Sequence, residues 1–258
     1  MSTLPSASRV PPSPLTDRDV QDDVIRFLTD ADLRVQASCG ELFTQADSER
    51  AGRFSRFLAR RYYRDRLYRG FRYSAALVPE SHRADQIVDE PRFDSVLAEC
   101  DLGSLGTAQA VGGMAVASLK PVRQDLWWRE LLEYERAFFI QLAVSEPEAR
   151  CAFPQKGRST LVGAFSFRIP ELLESLRSRE ASSESFQGKI ALLFSRTPHG
   201  KIYVAELDRA MRSILESIDG ASTVDDIAQS VGISPEEARH SLSRLAEFGA
   251  VVMPTADH

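Results

Sequence analysis

The residues with the most chemistry to offer lie together in RFLARRYYRDRLYRGFRYS, residues 56–74. Seven arginines (Arg56, Arg60, Arg61, Arg64, Arg66, Arg69 and Arg72) stand among six rings (Phe57, Tyr62, Tyr63, Tyr68, Phe71 and Tyr73), with Asp65 as the one acid. Cations that hold phosphates, interleaved with rings that stack on bases, are what a nucleic-acid groove needs. Charge elsewhere opposes that chemistry. The chain carries −5 and the stretch carries +6, seven Arg less one Asp, so the other residues carry −11. A protein acidic outside one segment has no broad basic footprint. Only Lys120, Lys156, Lys189 and Lys201 are lysines, which leaves 28 of the 32 cations as Arg. That bias suits planar, bidentate ion pairing more than phosphate tracking. On a helix the arginines also spread around the axis. Arg60 and Arg64 fall on one side, Arg66 and Arg69 on another, and Arg61 and Arg72 near the Phe54–Leu58 face. A phosphate-binding stripe is one-sided; charges distributed like this fit a helix that ties a fold together.

A second candidate lies in QDLWWRELLEYERAFFIQLA, residues 124–143. Trp127, Trp128, Leu131, Phe138, Phe139 and Leu142 share one broad helical face, and Glu135 falls near its centre. A carboxylate there is costly unless paired. It could be a metal ligand or a general acid, but no companion ligand stands at metal spacing from it. The sequence therefore predicts a structural ion pair between Glu135 and arginines of the 56–74 helix, Arg61 and Arg64 foremost.

Other catalytic equipment is sparse. His82, His199, His240 and His258 fall in a loop, a hairpin turn, the last helix and the terminus, and form no Ser/His/Asp or Cys/His set. Nucleophile-elbow, phosphate-loop and dinucleotide fingerprints are absent. Cys39, Cys100 and Cys151 are odd in number and far apart, which predicts inert thiols in a reducing, cytoplasmic compartment. No apolar run approaches the roughly 20 residues of a membrane span.

These residues need elements to position them. Composition predicts a disordered tail over residues 1–15, with four prolines, and helices at 17–28, 32–43, 48–77, 91–100 and 125–142. On the long helix, Phe54, Phe57, Leu58, Tyr62 and Leu67 are the inward candidates. Residues 101–121 are rich in small side chains and ambiguous. Pro147 and Pro154 mark a linker over 146–157. Extended segments then follow at 161–169, 189–196 and 201–207, with a helical turn at 170–177 and a loop at 179–188. TPHG turns between the last two strands. Three helices close the chain at 208–218, 223–231 and 235–248, then a short extended piece at 250–253. The last helix has Ser234 as N-cap, Pro235 at N1 and Glu237 at N3. The fold class expected is α+β: a helical domain over 16–145, then a winged helix of three strands and three helices over 158–254.

A winged helix invites a DNA-binding reading, but its third helix opens on Glu236 and Glu237. Residues 186–258 carry seven Lys/Arg against ten Asp/Glu, a net −3. Phosphates would meet the wrong sign. A strand edge beside a helix instead suits an extended peptide, which adds as a strand.

Two segments carry a family resemblance. ILESIDGASTVDDIAQSVGISPEEARHSLSRLAEFGAVV, residues 214–252, resembles the PqqD-like peptide-recognition domain of ribosomal-peptide modification systems. RFLARRYYRDRLYRGFRYSAAL (56–77) and LLEYERAFF (131–139) resemble the partner proteins of multinuclear non-heme iron oxidative enzymes, as in methanobactin and thiaglutamate biosynthesis. The resemblance implies a non-catalytic accessory subunit that works as a hetero-oligomer. It would bind the leader of a precursor peptide and present it to a TIM-barrel enzyme that holds the irons and modifies cysteine. No cofactor is then expected in this chain. The peptide would align with the strand Lys201 to Leu207, chiefly at Lys201, Ile202, Tyr203, Val204 and Ala205, and rest on the last helix, Glu236 to Phe248. Arg239, Ser243 and Arg244 would make side-chain contacts, since such leaders are often acidic. The alternative reading is a winged-helix transcriptional regulator. An enzyme built around Glu135 and the arginines is a further one.

Overall fold

The structure is a computed structural model, and it describes residues 45–99, 102–120, 126–145, 151–178, 186–197 and 199–254. The tail expected over 1–15, the helices expected at 17–28 and 32–43, most of the 179–188 loop, Cys39, Cys100 and His258 lie outside the described residues. The chain divides into two compact units, Met1–Ser55 and Arg56–His258. Of the first, the described part is the opening of α1 (Gln45–Gly70). The second mixes helices with small antiparallel sheets, an α+β arrangement.

After α1 the chain makes three 3-10 turns, Ser74–Ala76, Glu80–His82 and Ala84–Asp89. Next come α2 (Pro91–Glu99), α3 (Leu105–Ser118) and α4 (Trp128–Ala143). The small-residue stretch that gave no clear pattern is α3, started by Ser104, whose hydroxyl accepts the Thr107 N–H. β1 (Gln155–Lys156) and β2 (Leu161–Phe167) lead to α5 (Ile169–Ser178), then β3 (Gln187–Arg196) and β4 (Ile202–Glu206). The end is α6 (Arg209–Ser217), α7 (Val224–Val231), α8 (Pro235–Glu247) and β5 (Val251–Val252), which pairs with β1.

α1 stops at Gly70, short of the expected Leu77, and its inward face also differs from expectation. Of the expected inward residues Leu67 is buried, Leu58 and Tyr62 are half-buried, and Phe54 and Phe57 are exposed; the buried set is Ala59, Tyr63, Leu67 and Phe71. The buried set recurs every fourth residue, the stripe a helix lays on a core. Gly70 ends the helix where α4 comes close: a Cβ there would lie 2.7 Å from Phe139 Cβ and 3.1 Å from its Cα.

Three arginines of α1, Arg60, Arg64 and Arg66, tie neighbouring segments to it. Arg60 pairs with Asp94 of α2 at 2.7 Å. The Arg66 guanidinium donates to the Leu142 carbonyl at 3.0 Å, and the Tyr62 hydroxyl donates to the Ala143 carbonyl at 2.7 Å. From β3, Arg196 donates to the Val144 and Gln141 carbonyls. The last carbonyls of a helix have no partner within it. Here three side chains from two other elements satisfy them, and two bring the positive charge the helix end favours.

The three-stranded sheet has the order β2-β3-β4, antiparallel throughout. Side chains alternate across it. Ile190, Leu192 and Phe194, with Phe165 and Phe167, join a large core shared with α1, α3, α4 and α5. Leu193 faces the other way, into a smaller core with Leu207, Ile214, Leu215, Ile227, Leu242 and Leu245. Both faces of β3 are covered, which is why ALLF reads as a continuous apolar run. Among the described residues no helix is long and apolar enough to cross a membrane.

Candidate functional site

β4 is the edge of its sheet among the described residues. The Leu207 N–H donates to the Ala191 carbonyl, and the Thr197 N–H donates to the Lys201 carbonyl, both at 2.9 Å. In an antiparallel ladder bonded residues alternate. Lys201, Tyr203, Ala205 and Leu207 therefore turn their backbone groups toward β3. Ile202, Val204 and Glu206 turn theirs toward the open edge, three amides and three carbonyls.

Beside this edge runs a groove of about 300 Å³ lined by Leu193, Ala205, Glu206, Leu207, Asp208, Met211, Arg244 and Phe248. Its floor is apolar, contributed by β3, β4, α6 and the end of α8. Its rim is charged, with Glu206 and Asp208 against Arg244. Asp208 also caps α6 by accepting the Met211 N–H at 2.7 Å. The Phe248 ring packs on Tyr203 with centroids 5.2 Å apart. The end of α8 is pinned to the sheet where the Ser195 hydroxyl donates to the Phe248 carbonyl at 2.8 Å. Gly249 then turns the chain at φ +74°, where a Cβ would lie 2.3 Å from the Arg196 carbonyl oxygen.

The residues singled out from sequence fall unevenly around this groove. Ala205 and Arg244 line it, and Tyr203 packs on its wall. Ile202 and Val204 contribute outward backbone groups, while the Val204 side chain packs on the large core. Lys201 is exposed just before β4, its ammonium 4.5 Å from the Tyr203 ring centroid. Arg239 turns to α7 and pairs with Asp225 at 3.0 Å. Ser243 is exposed and outside the lining. Sequence reasoning missed Leu193, Asp208 and Met211, and reached Glu206, Leu207 and Phe248 only as members of the strand and helix expected to flank the peptide. Phe248 had a readable signal, since it stands four residues after Arg244 and so on the same helical face.

The ion pair expected between Glu135 and Arg61 or Arg64 is not formed. Arg64 makes two bonds to Asp89, at 2.6 and 2.8 Å, and Arg61 is exposed. Glu135 is fully buried and accepts backbone hydrogen bonds instead: Tyr73 N–H at 2.6 Å, and Ser74 N–H at 3.3 and 3.2 Å to its two oxygens. The reason is the break after Gly70. The 3-10 turn at Ser74 starts afresh, and opening amides have no partner within their own turn. A carboxylate on α4 satisfies them. Burial pushes the Glu135 carboxyl up to about 7, against the hydrogen bonds of Ser74 and Tyr73 and the charge of Arg72. Burial likewise pushes the neighbouring Tyr134 hydroxyl up to about 12.

Among the described residues no three His, Cys, Asp or Glu side chains converge as a metal site. Cys151 is half-buried, with its thiol 3.5 Å from the Val252 carbonyl. No protein-family model matches the chain, and no curated protein matches it.

Proposed function

We propose that this chain is a non-catalytic accessory subunit that captures an extended peptide along β4. The observation that carries the proposal is the outward set of backbone groups at Ile202, Val204 and Glu206 beside the groove under Arg244 and Phe248. Added strands gain affinity from main-chain bonds and specificity from pockets for alternate side chains. Six main-chain bonds at a net of about 1 kcal/mol each, less the ordering of the peptide, give a Kd of about 0.1–1 mM, so tighter binding requires apolar side chains of the peptide in the groove. With β3 and β4 as the wing and α6–α8 as the helices, the module is read as a winged helix used for peptides. Its α8 presents Glu236 and Glu237 to solvent, a poor surface for phosphates.

In this reading the peptide is the leader of a ribosomally made precursor. The enzyme it is presented to is an iron-dependent TIM-barrel oxidative enzyme that modifies cysteine, bound to this chain in a hetero-oligomer. The resemblance of residues 214–252, 56–77 and 131–139 supports that assignment.

The test is titration of the full chain with fluorescein-labelled short peptides encoded by genes beside its own. Val204→Pro is the control, because it removes an outward amide and no bond to β3. Binding by a peptide that weakens about tenfold in the variant is expected, one lost bond plus the flanking mismatch. No binding by any such peptide, with the oxidative enzyme fully active alone, would sink the proposal.

A further inference from the structure

The Arg-rich end of α1 forms a second groove that peptide capture at β4 does not use. It measures about 560 Å³ and is lined by Tyr68, Arg69, Arg72, Ala75, Ala76, Arg83, Phe138 and Leu142. Ala75, Ala76, Phe138 and Leu142 make an apolar floor, and three guanidinium groups stand over it. Arg69 and Arg83 have acidic neighbours on their own turns, Asp65 and Glu80, in solvent-exposed pairs. Such pairs hold weakly and exchange readily for a better partner.

Arg72 is different. Its guanidinium donates to the Tyr73 hydroxyl at 2.7 Å and lies 4.6 Å from that ring's centroid. Arg177 of α5 donates to the same hydroxyl, with its guanidinium 5.4 Å from the ring centroid. Two cations thus converge on one neutral oxygen, and among the described residues neither forms an ion pair with a carboxylate. Like charges held together repel, and an incoming anion relieves that repulsion. Planar guanidinium groups also take carboxylates in a bidentate fork.

From this we infer that the groove docks an acidic segment of a partner protein. An aromatic or aliphatic side chain of the segment covers Ala75, Ala76, Phe138 and Leu142, and its carboxylates reach Arg72, Arg69 and Arg83. Charge complementarity selects the occupant: cations ring an apolar floor, so a segment with acids around one apolar residue satisfies both. The inference stands independently of the β4 edge.

A random dodecapeptide library displayed on phage, panned on the immobilised full chain, tests it. Clones rich in Asp and Glu around an aromatic or aliphatic residue are expected to enrich. They should be lost on the Arg72→Glu/Arg83→Glu variant and kept on Val204→Pro. Ala76→Glu is the second variant, since it places an acid on the exposed floor and removes no existing contact. It decides alone if the double variant is poorly folded. Absence of acidic clones, or their persistence on Ala76→Glu, would overturn the inference. So would their displacement by a single-stranded oligonucleotide that itself binds the groove more tightly than the selected peptides.

Discussion

Replacing Glu135 by Gln should flatten the dependence of stability on pH between about 4.5 and 7. The Glu135 carboxyl is raised in the folded chain from 4.5 to about 7, chiefly by burial. Across that window the folded chain holds a proton that the unfolded chain has released. Stability from this group is therefore fully present below about pH 4.5 and declines as pH rises, levelling off above about 7. A rise of about 2.5 units at about 1.36 kcal/mol each amounts to about 3 kcal/mol. Gln is neutral throughout. It keeps an oxygen for the Tyr73 N–H but turns an NH2 toward the Ser74 N–H, so it adds an offset that does not vary with pH. Urea unfolding of both proteins at four pH values spanning the window reads the effect, and the difference between them cancels the other titrating groups. Wild type should lose about 3 kcal/mol relative to the variant from the acid end to the neutral end. A constant difference would refute the reasoning. So would a wild type that gains on the variant as pH rises, which would mean the backbone bonds and Arg72 outweigh burial.

Two further substitutions test the packing. Gly70→Ala drives a Cβ against the α4 backbone at Phe139 and should cost about 1–3 kcal/mol, read as a lower melting temperature. Gly113→Ala in α3 meets nothing within 4 Å and should instead stabilise by roughly 0.5–1 kcal/mol. Phe248→Ala removes the ring from Tyr203 and opens the groove floor, so peptide affinity measured by titration should fall by about tenfold or more while α7 keeps its fold.

Local signals in this chain were legible in proportion to how local their causes are. The Ser234/Glu237 capping box and the Pro235 start of α8 stand as read, and Thr223 with Asp226 forms a second box. β3 and β4 lie where β-branched and aromatic residues flank the Pro-containing turn. α3 escaped because Ala and Gly bury little surface and leave no stripe to read. β5 lies within the extended piece expected at 250–253, but β1 escaped because two residues cannot show a period and its pairing with β5 spans nearly a hundred positions. The end of α1 was misplaced because it is set by the approach of Phe139 to Gly70, a contact between distant segments. The partner of Glu135 was misjudged for a related reason. Pairing a buried acid with the nearest arginines ignores backbone amides, which carry no mark in the sequence. At the groove, Ala205 and Arg244 were within reach of pattern, whereas Met211 and Leu193 enter through the way α6 and β3 pack.

The account rests on the open edge of β4, and amide hydrogen exchange at single-residue resolution tests it directly. On adding a binding peptide, the amides of Ile202, Val204 and Glu206 should gain protection. Those of Tyr203, Ala205 and Leu207, already turned toward β3, should change little. Unchanged exchange at 202, 204 and 206 in a peptide-saturated sample would contradict the account, as would protection confined to α7 and α8 on adding duplex DNA.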